Sequence, residues 1–160
     1  MTGAAMKNPA VEAKLLSFLN EYTSGNDLYW FPLTRLKKDI PVAAYDIDAI
    51  YKNGDIALLE HVFKTCRIDR VSTFQTDSME YFDNDSIFDL LYEKDRDVFV
   101  FPLTVETFYF DSTEKWLVYV SHEGTISFTG GGIVQAAEKT IPHQYVSLIV
   151  KEKQRRDDDV

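Results

Sequence analysis

The sequence predicts an α+β fold in which a mostly antiparallel sheet, formed by the second half of the chain, packs against N-terminal helices. Two observations lead to this class. Up to Cys66, apolar residues recur at the three- and four-residue spacing of amphipathic helices; after it, short runs of β-branched and aromatic residues alternate with turn residues. At 160 residues and 45% hydrophobic composition, the chain can bury one self-sufficient core. We therefore expect a single domain over residues 8–150.

Helix signals dominate the first half of the sequence. Asn8 can cap a helix that has Pro9 in its first turn. Pro32 follows an aromatic cluster, which suits the end of an edge strand rather than a central strand. Asn53 and Gly54 end a later helix, because glycine tolerates the left-handed conformation found after a C-cap. The predicted elements are a helix over residues 9–23, an edge strand within 27–38, and helices over 43–52 and 56–66.

Strand signals dominate the second half. Residues 116–122 place apolar side chains on both faces of a strand, so this strand is expected to be central and covered on both sides. Glu123 and Gly124 predict a two-residue hairpin turn after it, because glycine accepts positive φ. The predicted elements are strands over residues 68–76, 98–101, 105–110, 116–122, 125–128 and 145–150, and helices over 85–92 and 134–140.

The termini and the single cysteine bear on processing and compartment. Residues 1–7 are expected to form a disordered extension, with Met6 as an alternative native start, and residues 151–160 a charged mobile tail. The first residues lack the apolar run of a secretory signal, and no stretch reaches the roughly 18 apolar residues of a membrane span. Cys66 alone cannot form an internal disulfide. We expect a cytoplasmic protein without a membrane role.

Negative charge is concentrated in residues 76–97, here called the acidic stretch. The chain has a net charge of −9. The acidic stretch holds eight Asp or Glu and two Lys or Arg, a net −6, against 0 for residues 1–75 and −3 for residues 98–160. Nucleic-acid backbone binding requires clustered Lys and Arg, so nucleic acid is not an expected partner.

A basic protein is the partner that the acidic stretch predicts. Carboxylates raise the rate of encounter with a basic surface by about 10 to 10³-fold, and exposed rings anchor the contact. A solvated face that only aids solubility is the alternative explanation. An EF-hand calcium loop is not predicted, because Ile87 and Phe88 stand where a ligand and a glycine are required, and no metal or cofactor is expected. The predicted partner-binding residues are Asp77, Glu80, Tyr81, Asp83, Asp85 and Asp89.

The alternative function is small-molecule binding or catalysis in an aromatic pocket. Ser121, His122 and Glu123 have the residue types of a hydrolase triad, but successive strand residues point to opposite faces, so partners of His122 must come from elsewhere in the chain. The triple glycine at 130–132 is typical of an anion cradle or of a strand-to-helix turn, and it lacks the P-loop and dinucleotide-binding motifs. The residues of this alternative pocket, besides the triple glycine, are Tyr29, Trp30, Trp116 and His122.

The strands around the predicted hairpin resemble a class of bacterial domain. The motifs are Phe101-Pro102-Leu103, Trp116-Leu117-Val118-Tyr119, Ser121-His122-Glu123-Gly124-Thr125 and Phe128 followed by Gly130-Gly131. With them, residues 98–131 resemble small uncharacterised bacterial domains, some of which are encoded beside polymorphic toxins as immunity proteins. The resemblance implies a cytoplasmic antidote that binds and blocks a toxin. A non-enzymatic protein-binding domain is therefore the leading hypothesis, and a homo-oligomerising structural domain is a third.

Overall fold

The elements of the fold follow from a computed structural model. It describes residues 40–68, 70–75, 106–113 and 115–147, the backbone of 80–84, 92–93 and 98–99, and two helical positions, Ala13 and Ser17. The rest of the predicted first helix, the edge strand within 27–38, residues 85–91 and both chain ends lie outside the described residues. The strands are β1 (Val42–Asp46), β2 (Val71–Gln75), β3 (Glu80–Asn84), β4 (Tyr92–Glu93), β5 (Val98–Phe99), β6 (Thr107–Phe110), β7 (Leu117–Val120) and β8 (Thr125–Thr129). The helices are α1 (Ile47–Lys52), α2 (Ala57–Thr65), α3 (Gly131–Thr140) and a 3₁₀ helix (His143–Tyr145).

All strand pairs in the described part of the chain are antiparallel. Six strands form one sheet in the order β1-β8-β7-β6-β2-β3, and β4 and β5 pair in a separate two-stranded sheet. The predicted α+β class with a mostly antiparallel sheet is confirmed. The strand predicted over residues 116–122 corresponds to β7, which lies between β6 and β8 and has every residue buried. Its predicted central position is also confirmed.

Helices α1, α2 and α3 pack on one face of the sheet. α2 contacts α3, and both α1 and α3 contact β8. The ring of Phe128 in β8 lies 6.0 Å from that of Phe63 in α2 and 6.1 Å from that of Tyr45 in β1, measured between centroids. Fully burying one such side chain contributes about 1.5–3 kcal/mol, so apolar burial holds the helices on the sheet. Other fully buried residues of this layer are Ile47, Ile50, Leu59, Val62, Val118, Val120, Ile126 and Ala137.

The opposite face of the sheet is buried as well. Phe108 and Tyr119 stand opposite each other on β6 and β7, with their ring centroids 4.9 Å apart. Phe74 of β2 and Leu117 of β7 lie on the same face by strand alternation, and both are buried. Aromatic residues make up 14% of the chain, and many of them are used to cover a sheet on both sides.

The start of the helix predicted over residues 43–52 is wrong. Its first residues belong to β1, which pairs along its whole length with β8, for example Ala43 with Phe128. Asp46 ends the strand and caps α1, since the Ala49 N–H donates to Asp46 Oδ1 at 2.9 Å. Alanine favours helices, so pairing with a distant strand overrides the local preference here. The next predicted helix is confirmed as α2.

The turn between β7 and β8 has three residues rather than the predicted two. The Ser121 N–H donates to Thr125 O at 2.9 Å, and the Gly124 N–H donates to Ser121 O at 3.2 Å. The loop therefore consists of His122, Glu123 and Gly124, and Gly124 has a φ of 76°. This geometry is a type I turn closed by a left-handed residue, which glycine adopts without strain.

Three other predicted boundaries differ from the structure. α3 begins at Gly131, three residues before its predicted start, because the low helix propensity of glycine conceals its first turn. Tyr92, predicted to end a helix, lies in β4. Tyr145, predicted to begin the last strand, belongs to the 3₁₀ helix, and Val146 after it forms a single antiparallel bridge with Tyr45.

None of the helices that the structure describes is long and apolar enough to cross a membrane.

Candidate functional site

Three of the six predicted partner-binding residues lie on one strand. Glu80, Tyr81 and Asp83 belong to β3, where Tyr81 stands opposite Phe74 of β2. β3 is the last strand in the order of the six-stranded sheet. The predicted partner-binding residues outside the described residues are Asp77, Asp85 and Asp89. The acidic stretch therefore contributes an edge strand of the sheet.

An acidic edge strand has two properties that bear on binding. One side of its backbone pairs with the neighbouring strand, and the other side of an edge strand offers N–H and C=O groups to an added strand. Glu80 and Asp83 give β3 negative charge, as do their sequence neighbours in the acidic stretch. Two copies of such a strand repel each other, whereas an extended basic segment is attracted. The edge thus suits a basic partner better than a second copy of itself.

Glu106 and His122 form a hydrogen-bonded pair at one end of the sheet. Glu106 precedes β6 and His122 follows β7, and the pairing of Thr107 with Val120 brings these two strand ends together. His122 Nδ1 is hydrogen-bonded to Glu106 Oε1. The Glu106 side chain is 8% exposed and the His122 side chain 51% exposed. The pair joins a buried carboxylate to an imidazole that reaches solvent.

Burial dominates the protonation of Glu106. Loss of solvation raises the pKa of its carboxyl group above the ordinary value; the hydrogen bond and charge of His122 lower it, and the nearby Glu123 carboxylate raises it. The net effect is that the pKa of Glu106 is raised. An imidazole oriented by a carboxylate is a feature of general acid–base sites, and it is also a common way of satisfying a buried carboxylate. The pair by itself therefore does not assign a reaction.

The sequence predicts only part of this pair. Strand geometry requires that a partner of His122 come from elsewhere in the chain, and the structure supplies Glu106. Glu106 does not stand out in the sequence, because one acidic residue before a strand is common. The signal that identifies it is the register of β6 against β7, which brings position 106 beside the turn that holds His122.

Of the residues of the alternative pocket, the structure describes Trp116 and His122, and it does not bring these two together. Trp116 precedes β7 and His122 follows it, so the whole strand separates them at about 3.3 Å per residue. Trp116 is buried, and its Nε1–H donates to Asp111 Oδ2 at 2.9 Å, which satisfies the indole within the β6–β7 connection. Tyr29 and Trp30 lie outside the described residues.

The triple glycine forms a closely packed strand-to-helix turn. Gly130 has a φ of 108°, and a Cβ at this position would lie 2.3 Å from Lys115 O and 2.9 Å from Trp116 Cα. Only glycine permits that approach. Gly131 and Gly132 form the first turn of α3, and a Cβ on either would meet nothing within 4 Å. Packing therefore explains Gly130, which lies beside Trp116 and not beside His122.

Cys66 packs against the helix-side core at the end of α2. Its Sγ lies 3.9 Å from Gly132 O, and burial raises the pKa of its thiol, which disfavours the reactive thiolate. Within the segments that the structure covers, no three His, Cys, Asp or Glu side chains are grouped closely enough to hold a metal ion.

Comparisons with protein-family models, curated proteins and solved structures find no match to this chain. They give no support to the resemblance of residues 98–131 to immunity-type domains. The function must therefore be argued from the charge of the acidic stretch and from the position of β3.

Proposed function

We propose that this protein is a non-enzymatic protein-binding domain whose partner is a basic protein bound along the acidic stretch. One observation carries the proposal: β3, which is formed by residues of the acidic stretch, is an edge strand of the six-stranded sheet. The acidic stretch also holds a net charge of −6, two thirds of the −9 of the whole chain. Negative charge and an edge strand of the described sheet therefore coincide.

Two contributions of different range would act in binding. Attraction between the acidic stretch and a basic surface acts at a distance, raises the association rate by about 10 to 10³-fold, and weakens as salt is added. Backbone hydrogen bonds act at contact, when an extended segment of the partner adds to β3 as a further strand. The first contribution governs association, and the second slows dissociation.

The specific form of this proposal is neutralisation of a toxin in the cytoplasm. The resemblance of residues 98–131 to immunity-type domains suggests this class of partner, and the acidity of the chain supports it, because many toxins that attack nucleic acids are basic. Cys66 is the single cysteine of the chain, which agrees with a reducing compartment.

The test uses a partner captured from cells that make the protein and then purified for binding kinetics. Glu80→Lys combined with Asp83→Lys reverses two charges on β3. We expect association to slow by about tenfold or more and to lose most of its salt dependence, because the attraction of the acidic stretch is reduced.

A matched control reverses two exposed carboxylates elsewhere, Glu123→Lys and Glu138→Lys, and reaches the same net charge. It should change the association rate far less. Circular dichroism and thermal unfolding establish that both double variants are folded. Equal slowing in the two variants would contradict the proposal, since only the total charge of the protein would then matter.

A further inference from the structure

A cavity lies between β1 and the chain that follows α3. Its volume is about 240 Å³, below the roughly 300–1,000 Å³ of pockets that hold drug-sized molecules. It is separate from β3, because β1 and β3 stand at opposite ends of the strand order. A ligand of this cavity must be small. Its walls are mostly aliphatic and include Val42, Ala44, Ile141 and Val146.

Three polar side chains complete the lining of this cavity. Tyr45 comes from β1, Glu138 from the last turns of α3, and His143 from the 3₁₀ helix. Glu138 and His143 are exposed, so they stand where the cavity opens to solvent. Tyr45 is 3% exposed and packs its ring edge-on against Phe128. Polar side chains from β1, α3 and the 3₁₀ helix thus line one cavity.

Tyr45 is held neutral in this setting. Burial raises its pKa to about 12, and the negative charge of Glu138 acts in the same direction. A tyrosine hydroxyl group can both donate and accept a hydrogen bond, and Tyr45 lines the cavity. It can accept a hydrogen bond from a ligand in the cavity.

The charge at the cavity favours a cation. Glu138 provides a carboxylate, and the described lining contains no lysine or arginine that would neutralise it. Desolvating an anion beside Glu138 would cost free energy, whereas an ammonium group there gains an ion pair. The apolar side chains of the lining can pack against a short hydrocarbon chain.

We propose that this cavity binds a small organic ammonium ion. The ammonium group lies between the Glu138 carboxylate and the Tyr45 hydroxyl group, and the alkyl chain packs against Ile141 and Val146. This binding site is independent of the proposed protein partner, since it uses the other end of the sheet.

The experiment titrates the protein with three probes of equal size, butylammonium, butanol and butyrate, and follows amide chemical shifts by NMR. We expect saturable shifts at Ala44, Glu138 and His143 with butylammonium, weaker binding of butanol, and none of butyrate. Equal affinity for butanol and butylammonium would overturn the ammonium assignment. Saturable shifts with none of the three probes would overturn the site itself.

Substitutions of Glu138 and Tyr45 test which groups bind the ammonium ion. Glu138→Gln should weaken butylammonium binding by about two- to fivefold, the effect of removing one partner of an exposed ion pair, and should leave butanol binding unchanged. Tyr45→Phe should weaken butylammonium binding as well. Glu123→Gln is the matched control, because it removes one exposed carboxylate in the β7–β8 turn and leaves the cavity intact. An equal effect of Glu123→Gln and Glu138→Gln would contradict the proposal.

Discussion

His122 is hydrogen-bonded to Glu106 across the ends of two paired strands, although 16 residues separate them in the chain. The carboxylate is buried and the imidazole half exposed. Removal of His122 and removal of Glu106 are therefore expected to have different effects. Removal of the imidazole leaves the buried carboxyl group of Glu106 without this hydrogen bond, whereas removal of the carboxyl group takes away a buried titratable group.

His122→Ala is expected to lower the free energy of unfolding by about 1–3 kcal/mol at neutral pH, because the buried carboxyl group of Glu106 loses a hydrogen bond. In a double-mutant cycle with Glu106→Gln, the second substitution should recover part of this loss, since a neutral amide is cheaper to bury than a carboxylate. Urea unfolding of the four proteins measures the coupling. Additive effects of the two substitutions would show that the contact contributes nothing to stability.

The raised pKa of Glu106 predicts a pH dependence of stability. An unfolded glutamate has a pKa of about 4.3, so the folded protein holds this proton more tightly than the unfolded chain does. The stabilising contribution of the protonated form is fully present below about pH 4 and is lost as pH rises through the folded-state pKa. The unfolding free energy of Glu106→Gln relative to that of the wild type should therefore increase as the pH is raised from acid to neutral.

Urea unfolding at several pH values between about 4 and 7 tests this sign. Glu138→Gln serves as the exposed control and should show a smaller dependence. A difference between Glu106→Gln and wild type that stays constant over this range, or that decreases, would contradict a raised pKa for Glu106.

The strands and helices differ in how far the sequence predicts them. α2 and β7 follow from periodicity within their own residues, so both were predictable. β1 could not be predicted in this way, because Ala43 and its neighbours become a strand only by pairing with β8, more than 80 residues later. Glu106 illustrates the same limit at the level of a site, since its contact with His122 depends on the register of β6 and β7. Local sequence patterns therefore do not predict which distant strands pair with each other.

Gly130→Ala should destabilise the protein by at least about 1–3 kcal/mol, the cost of placing a non-glycine residue in a rarely populated conformation. The added Cβ would also lie 2.3 Å from Lys115 O, so the backbone must move. Thermal or urea unfolding measures the loss. Gly132→Ala is the control from the same turn: its Cβ meets nothing within 4 Å, and it should stabilise the protein by about 0.4–1 kcal/mol.

Tyr145→Phe should lower the free energy of unfolding by about 0.5–1.5 kcal/mol, because the buried hydroxyl group of Tyr145 donates a hydrogen bond to Asp55 Oδ2. The two residues lie 90 positions apart, and their hydrogen bond connects the 3₁₀ helix to the start of α2. Hydrogen exchange at Val146 and Ser147 should accelerate in the same variant. Unchanged exchange rates would show that the hydrogen bond of Tyr145 does not stabilise Val146 and Ser147.

The bridge between Val146 and Tyr45 limits how this molecule can assemble. Val146, together with the Ser147 N–H that donates to Ala44 O at 2.9 Å, occupies part of the outer side of β1. A fibre that grows through sheet edges needs two open borders on each subunit, one for the preceding copy and one for the next. Here the chain itself occupies part of one border. If a partner strand adds at β3 as proposed, this contact opposes continued growth at β1 and favours a complex of fixed stoichiometry.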